Sequence, residues 1–205
     1  MKLTQLAAAA LITLSPLAAH AGYLQLDGGA TSAIPPINFY AASVGASSYN
    51  VGGNLKSNID GWLELQFDFL GAEAGWKNTF STSAGSIDNL LPSPSFTSAG
   101  NYAIGDLLGF TFTTSGSGVL PNSVANGGNN NGDHWVSFAT VLDATFNSTL
   151  YDAILFFDDT GGFKDDDNHD DLVIGIKVTS VPESSTLALL MMGLIGLFAA
   201  RRTKA

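Results

Sequence analysis

Hydrophobic and polar residues alternate from Leu63 to Phe69, so that every second side chain in this stretch is apolar. A period of two predicts a β-strand with one buried face and one solvated face. The same period recurs from Leu172 to Val178. Tyr151–Phe157 is instead an apolar run rich in aromatic residues, which predicts a strand covered on both faces.

Shorter apolar runs predict further strands, and helical periodicity is scarce. These candidates are Tyr23–Leu26, Lys77–Thr82, Phe110–Thr114 and Trp135–Val141. Polar stretches rich in Gly, Pro and Asn separate them and predict turns and loops: Gly45–Asn58, Ser81–Gly100 and Ser115–Asp133. Seven or eight short strands of this kind predict an all-β fold, either an antiparallel β-sandwich or a jelly roll.

The N-terminal residues have the layout of a secretory signal peptide. Lys2 supplies one positive charge, an apolar run extends from Leu6 to Leu17, and Ala19 and Ala21 flank His20 in a small-x-small ending. We predict that signal peptidase removes residues 1–21 and that the mature chain begins at Gly22. The alternative is a buried N-terminal helix, but this would not explain the small-x-small ending.

The C-terminal residues form a second apolar segment. Residues 184–200 carry no charge, and Arg201, Arg202 and Lys204 follow them. A segment of this length is at the lower limit for a transmembrane helix, and the arginines would stop transfer on the cytoplasmic side. We therefore predict a membrane-spanning helix over residues 184–200. A buried C-terminal helix is the alternative.

Val181, Pro182 and Glu183 stand directly before this segment. The short motif, the apolar segment and the terminal arginine cluster together resemble the PEP-CTERM sorting signal of Gram-negative bacteria. The resemblance covers residues 181–205 and departs from the usual pattern at Ser184, where a second proline is common. It implies processing by an exosortase, a transient membrane anchor and a final place at the outer surface or outside the cell, typically in biofilm-forming bacteria that produce exopolysaccharide.

Removing both ends leaves residues 22–180 as one extracellular domain. Composition limits what this domain can do. The chain has 8 Lys and Arg against 18 Asp and Glu, a net charge of -10, so binding to nucleic acid is not expected. The chain has no cysteine, which excludes disulfides, zinc–thiolate centres, thiol nucleophiles and iron–sulfur clusters.

The main candidate for chemistry is an acidic stretch between the last two predicted strands. It contains seven aspartates, at positions 158, 159, 165, 166, 167, 170 and 171. Oxygen ligands at alternate positions are typical of a calcium loop, since Ca²⁺ takes six to eight oxygens. We predict a structural Ca²⁺ site whose ligands are Asp159, Asp166, Asn168, Asp170 and Asp171. The flanking strands and the absence of the EF-hand glycine and glutamate predict a β-hairpin loop.

Residues 153–174 also resemble the C-terminal signature of the DUF4114-type β-domain: an apolar strand, an acidic pair, a glycine and a spaced aspartate group before a second apolar strand. Asn168 stands where an aspartate is usual. The resemblance implies a calcium-dependent β-domain and no particular reaction. Two alternatives remain for the same stretch, a solvated acidic hairpin that binds nothing and a catalytic metal site. His169 is expected to be an exposed loop residue.

The sequence therefore favours a non-catalytic surface or matrix protein. A carbohydrate-binding module for exopolysaccharide, using Trp62, Trp76 or Tyr102, is the second hypothesis. A hydrolase is the third and weakest, because the domain has only Glu64 and Glu73 as glutamates, only His134 and His169 as histidines, and no Gly-x-Ser-x-Gly motif.

Overall fold

The computed structural model describes residues 22–91, 94–116, 119–128, 130, 136–159, 168–181 and 190–195. These residues include most of the predicted extracellular domain. Several predicted positions lie outside them: Ala19, Ala21, His134, Asp166, Pro182, Glu183, Arg201 and Arg202.

Thirteen β-strands are present within the described residues. In chain order they are β1 (Leu24–Asp27), β2 (Ala30–Ala33), β3 (Ser48–Val51), β4 (Asn54–Ser57), β5 (Gly61–Gly71), β6 (Lys77–Ser81), β7 (Ser86–Asp88), β8 (Ser95–Tyr102), β9 (Thr111–Gly116), β10 (Val119–Ala125), β11 (Ser137–Phe146), β12 (Thr149–Asp158) and β13 (Leu172–Val181).

The strands form three antiparallel sheets. One has seven strands in the order β2-β3-β11-β12-β13-β5-β8, one has four in the order β10-β9-β6-β7, and β1 pairs with β4. The prediction of an all-β antiparallel fold is confirmed. The predicted number of strands was too low, because the stretches assigned to turns contain β3, β4, β7, β8 and β10.

The main hydrophobic core lies between the seven-stranded and four-stranded sheets. In β5 the side chains of Leu63, Leu65 and Phe67 are buried in this core while Glu64 is exposed, as the alternating pattern predicts. Phe112 of β9 and Phe157 of β12 join the two sheets, since their rings stack with centroids 4.8 Å apart and planes 5° from parallel.

A second core lies on the other face of the seven-stranded sheet. Residues 34–47 connect β2 to β3 and lie over this face, and we call them the covering loop. Ile154 and Phe156 of β12 pack in this second core, while the alternate residues Leu155 and Phe157 pack in the first. The prediction that this strand is covered on both faces is therefore confirmed.

Gly175 of β13 allows Tyr151 to lie against the sheet, because a Cβ atom at position 175 would overlap the tyrosine ring. We expect Gly175→Ala to displace Tyr151 and to lower the free energy of unfolding by about 1–3 kcal/mol. Chemical denaturation of the mature chain measures this loss. Gly109→Ala is the matched control, since a Cβ atom there meets nothing within 4 Å. Equal stabilities of the two variants would contradict the packing argument.

In the C-terminal tail the structure describes a short helix over residues 190–195. Its side chains Leu190, Met191, Met192 and Ile195 are exposed, so this part of the segment is not buried in the β-domain. Across the described residues, none of the helices has the length and apolar character needed to cross a membrane. The predicted helix over residues 184–200 falls mainly on residues outside the described ones.

Candidate functional site

The acidic stretch lies in the hairpin between β12 and β13, at the end of the seven-stranded sheet where β12 ends and β13 begins. Asp158, Asp159 and Asp170 are all buried there, and the relative exposure of Asp170 is 0%. The alternative of a solvated acidic hairpin is therefore wrong for these three residues. Burying a carboxylate costs free energy unless hydrogen bonds or a cation compensate it.

Asn78 connects this end to the four-stranded sheet. Its Nδ2 donates a hydrogen bond of 2.7 Å to Asp159 Oδ2, and the backbone N–H of Asp159 donates one of 2.8 Å to Asp171 Oδ2. The first residues of β6 position Asn78, whose backbone N–H donates to Asn89 Oδ1. The Oδ1 atom of Asn78 is buried and accepts no hydrogen bond from any residue the structure describes.

The covering loop holds the other side of the acidic end. Asn38 Nδ2 donates to the backbone carbonyl of Asn168 at 2.6 Å, and the backbone N–H of Phe39 donates to Asp170 Oδ2 at 2.6 Å. The backbone N–H of Glu73 donates to the carbonyl of Asp170 at 3.0 Å. Asp170 therefore joins β13, the covering loop and the segment after β5.

Tyr40 of the covering loop lies close to the same carboxylate. Burial raises the pKa of Tyr40 above its ordinary value. A hydrogen bond with the backbone of Ala72 opposes this rise, and the negative charges of Asp170 and Glu73 add to it. The Tyr40 hydroxyl therefore stays protonated and neutral at physiological pH.

His169 is buried, so the expectation of an exposed loop histidine was wrong. Its φ angle of 55° lies in the left-handed region, where histidine is tolerated better than branched residues. The ring lies 5.4 Å from the Tyr49 ring, and Nε2 lies 2.9 Å from Ser137 Oγ. Nδ1 lies 3.7 Å from Asp158 Oδ2, which is too long for a hydrogen bond.

Four of the five predicted metal ligands can be placed, and they divide into two pairs. Asp159 and Asp171 are joined to each other and, through Asn78, to the four-stranded sheet. Asn168 and Asp170 are joined to the covering loop. Considering only the residues the structure describes, three or more His, Asp or Glu side chains are nowhere grouped so that they could hold a metal ion.

The site predicted from the sequence did not include three residues that contact the acidic end: Asn38, Asn78 and Ser137. The side chain of each forms a hydrogen bond with a residue of the acidic end that lies at least 32 positions away along the chain. No local pattern marks them, because a single buried Asn or Ser resembles the many others in this chain.

The three aromatic residues of the carbohydrate hypothesis have different environments. Trp62 lies on the face of the seven-stranded sheet opposite the main core and is 47% exposed. Tyr102 packs against the main core and is partly buried. Trp76, also partly buried, precedes β6 of the four-stranded sheet. The three rings therefore do not form one flat platform.

Comparison with protein families identifies the tail. A family model described as the PEP-CTERM protein-sorting motif matches residues 180–202. Comparison with curated proteins found no match, and comparison with solved structures found none. The motif marks an exported protein with a membrane-associated C-terminal sorting signal that an exosortase processes. The match begins at the last two residues of β13 and includes no earlier part of the β-domain.

Proposed function

We propose that the chain is a non-catalytic surface or matrix protein whose β-domain is stabilised by Ca²⁺ at its acidic end. The observation that carries this proposal is the burial of Asp159 beside Asn78, whose amide Oδ1 has no hydrogen-bond donor among the described residues. Amide and carboxylate oxygens are both preferred calcium ligands.

The residues at this end fit a calcium ion only in part. Asn78, Asp159 and Asp171 supply oxygens from one side, while Ca²⁺ takes six to eight. In this proposal the remaining oxygens come from the acidic loop, including Asp166, and from Asn168 and Asp170. The resemblance to the DUF4114-type β-domain supports the same proposal and implies no reaction.

The buried contact between Ser137 and His169 supports the non-catalytic part of the proposal, because its geometry fits a structural role. Ser137 lies in β11, is buried and pairs with Asp158 of β12. The next backbone N–H, that of Phe138, already donates to Asn130 Oδ1 at 2.9 Å and is not directed at an oxyanion. A serine hydrolase needs an accessible nucleophile and such donors, so we assign Ser137 and His169 to the support of the hairpin.

The sorting motif supports the part of the proposal that concerns location. Exosortase and signal peptidase are the processing partners in this proposal, and the final location is the outer surface or the extracellular matrix of a biofilm-forming Gram-negative bacterium. Exopolysaccharide is the candidate matrix partner. Trp62 is an exposed aromatic residue of the domain on which a sugar ring could stack.

Calcium is expected to raise the melting temperature of the mature chain, residues 22–205, in detergent micelles. An ion that binds only the folded state at about 100 times its dissociation constant contributes about 2.7 kcal/mol, or a rise of about 5–10 °C for a domain of this size. The measurement is thermal unfolding followed by circular dichroism in millimolar Ca²⁺ and in EGTA. Equal melting temperatures would remove calcium from the proposal and leave the sorting route untouched.

Two variants make the calcium measurement specific to the acidic end. Asp159→Asn should abolish most of the rise. Asp143→Asn changes the same functional group at an exposed position of β11 and should keep the rise. Residue 143 has a φ of 48°, a conformation that asparagine tolerates. Loss of the rise in both variants would indicate a general effect of charge rather than a site.

A further inference from the structure

Three exposed apolar residues lie together at the end of the β-domain from which the tail departs. β5 begins, and β8 and β13 end, at this end of the seven-stranded sheet, where Trp62 pairs with both Val181 and Asn101. Trp62 is 47% exposed, Val181 is 42% exposed and Ile104 is 59% exposed. The backbone N–H of Ile104 donates to Asp60 Oδ1 at 2.8 Å, which holds the loop after β8 beside the start of β5. We call Trp62, Ile104 and Val181 the tail-proximal patch.

The chain brings this patch close to the membrane. Val181 is the last residue of β13, and the uncharged segment begins only three residues later, at Ser184. Three peptide units reach at most about 11 Å. As a helix, residues 184–200 rise about 26 Å, which is less than the roughly 30 Å of bilayer hydrocarbon. A span shorter than the hydrocarbon draws its flanking residues toward the interface.

We propose that the tail-proximal patch docks on the lipid interface of the bilayer while the tail is inserted. Tryptophan is the residue that the membrane–water interface favours most clearly, since its ring is apolar and its N–H can reach water. Docking would bury the apolar surface that Trp62, Ile104 and Val181 otherwise leave in water. It would also hold Pro182 and Glu183 at the membrane surface, where a membrane-embedded exosortase acts.

The flanking charges define the kind of lipid contact. Asp60 and Asp106 lie beside the patch, and each accepts a backbone hydrogen bond, from Ile104 and Ala103 respectively. These carboxylates would be repelled by anionic lipids. Docking is therefore apolar in origin, works on zwitterionic lipid and is insensitive to salt.

Docking also orients the domain. β13 contains ten residues and is about 33 Å long, with Val181 at one end and Leu172 at the other. The acidic hairpin at Leu172 would then face away from the membrane, in contact with external calcium. The docking proposal needs the membrane-associated tail but not the calcium site, so failure of either one leaves the other standing.

The experiment places an environment-sensitive label on the patch. The chain has no cysteine, so Ile104→Cys can be labelled at a single position with the fluorophore NBD in the mature chain, reconstituted in phosphatidylcholine vesicles. Phe39→Cys is the matched control, because Phe39 is 71% exposed and lies beside Asp170 at the opposite end. We expect blue-shifted emission and quenching by lipids that carry a nitroxide near the headgroup at position 104, and neither effect at position 39.

A third sample tests the role of the tryptophan. Adding Trp62→Glu to the chain labelled at 104 should return the emission to that of a label in water and reduce the lipid quenching at least twofold. Raising the salt concentration should leave the quenching of the parent label unchanged. Equal quenching at positions 104 and 39, or quenching at 104 that survives Trp62→Glu, would overturn the proposal. Emission from position 104 that stays water-like in vesicles but shifts when polysaccharide is added would also overturn it, in favour of a sugar site at Trp62.

Discussion

Replacing Phe112 by alanine is expected to lower the free energy of unfolding by about 3–5 kcal/mol. The Phe112 ring is fully buried between the two large sheets. It stacks on Phe157 of the seven-stranded sheet and lies 5.1 Å from Phe80 within its own sheet. Removing it leaves a cavity in the layer that joins the two sheets. Since domains are typically stable by about 5–15 kcal/mol, this loss is a large fraction of the total.

Denaturation of the mature chain by guanidinium measures the effect of Phe112→Ala. Phe39→Ala is the matched control, because it removes the same side chain from an exposed position and keeps the backbone N–H that donates to Asp170. The control is expected to change stability by less than about 0.5–1 kcal/mol. If both variants lost the same free energy, the two sheets could not share the core that the ring contacts indicate.

The strands that alternation predicted are those with a buried face. In β5 and β13 the apolar residues at every second position lie in the main core. The alternating pattern is visible in the sequence because one face of each strand is buried there. In β8 the face that packs on the main core, with Phe96 and Tyr102, is only half-buried. Its eight residues alternate between exposed and half-buried, because it is the edge strand of the seven-stranded sheet and pairs only with β5. Five of its eight residues are Ser, Thr, Gly or Asn, so its sequence resembles that of a loop, and its pairing with β5 is visible only in the structure.

Residues 45–58 show the same limitation in another form. They contain β3 and β4, each four residues long, within a stretch rich in Gly, Ser and Asn. Leu55 and Tyr49 are the buried apolar side chains there, and they belong to different cores. Two isolated apolar residues cannot establish a period of two. The strands form because β11 and β1 supply partners for their backbone hydrogen bonds.

The candidate site was predictable only where its residues are consecutive. Seven aspartates in one short stretch mark the hairpin in the sequence. Burial of Asp159 and Asp170 was not predictable, because it depends on Asn78 from β6 and on Asn38 from the covering loop. The prediction that His169 is exposed was wrong for the same reason. Its partners Ser137 and Tyr49 come from β11 and β3.

Asp170→Ala is expected to lower the free energy of unfolding by about 2–4 kcal/mol, even without calcium. Asp170 is completely buried, and its Oδ2 accepts the backbone N–H of Phe39. Alanine leaves that N–H without its acceptor and releases one attachment of the covering loop. Because the loop covers the second core, Tyr40 and Ile34 should lose packing with it. Chemical denaturation in EGTA measures this loss.

Asp170→Asn separates the hydrogen bond from the charge at the same position. An amide oxygen can still accept from Phe39, so this variant should retain more than half of the stability that Asp170→Ala loses in EGTA. An amide is a weaker calcium ligand than a carboxylate, so most of the calcium-dependent rise in melting temperature should disappear. If Asp170→Asn kept the full rise, Asp170 would serve the covering loop alone and the ion would be held by other oxygens. If it were as unstable in EGTA as Asp170→Ala, the negative charge itself would hold the loop in place.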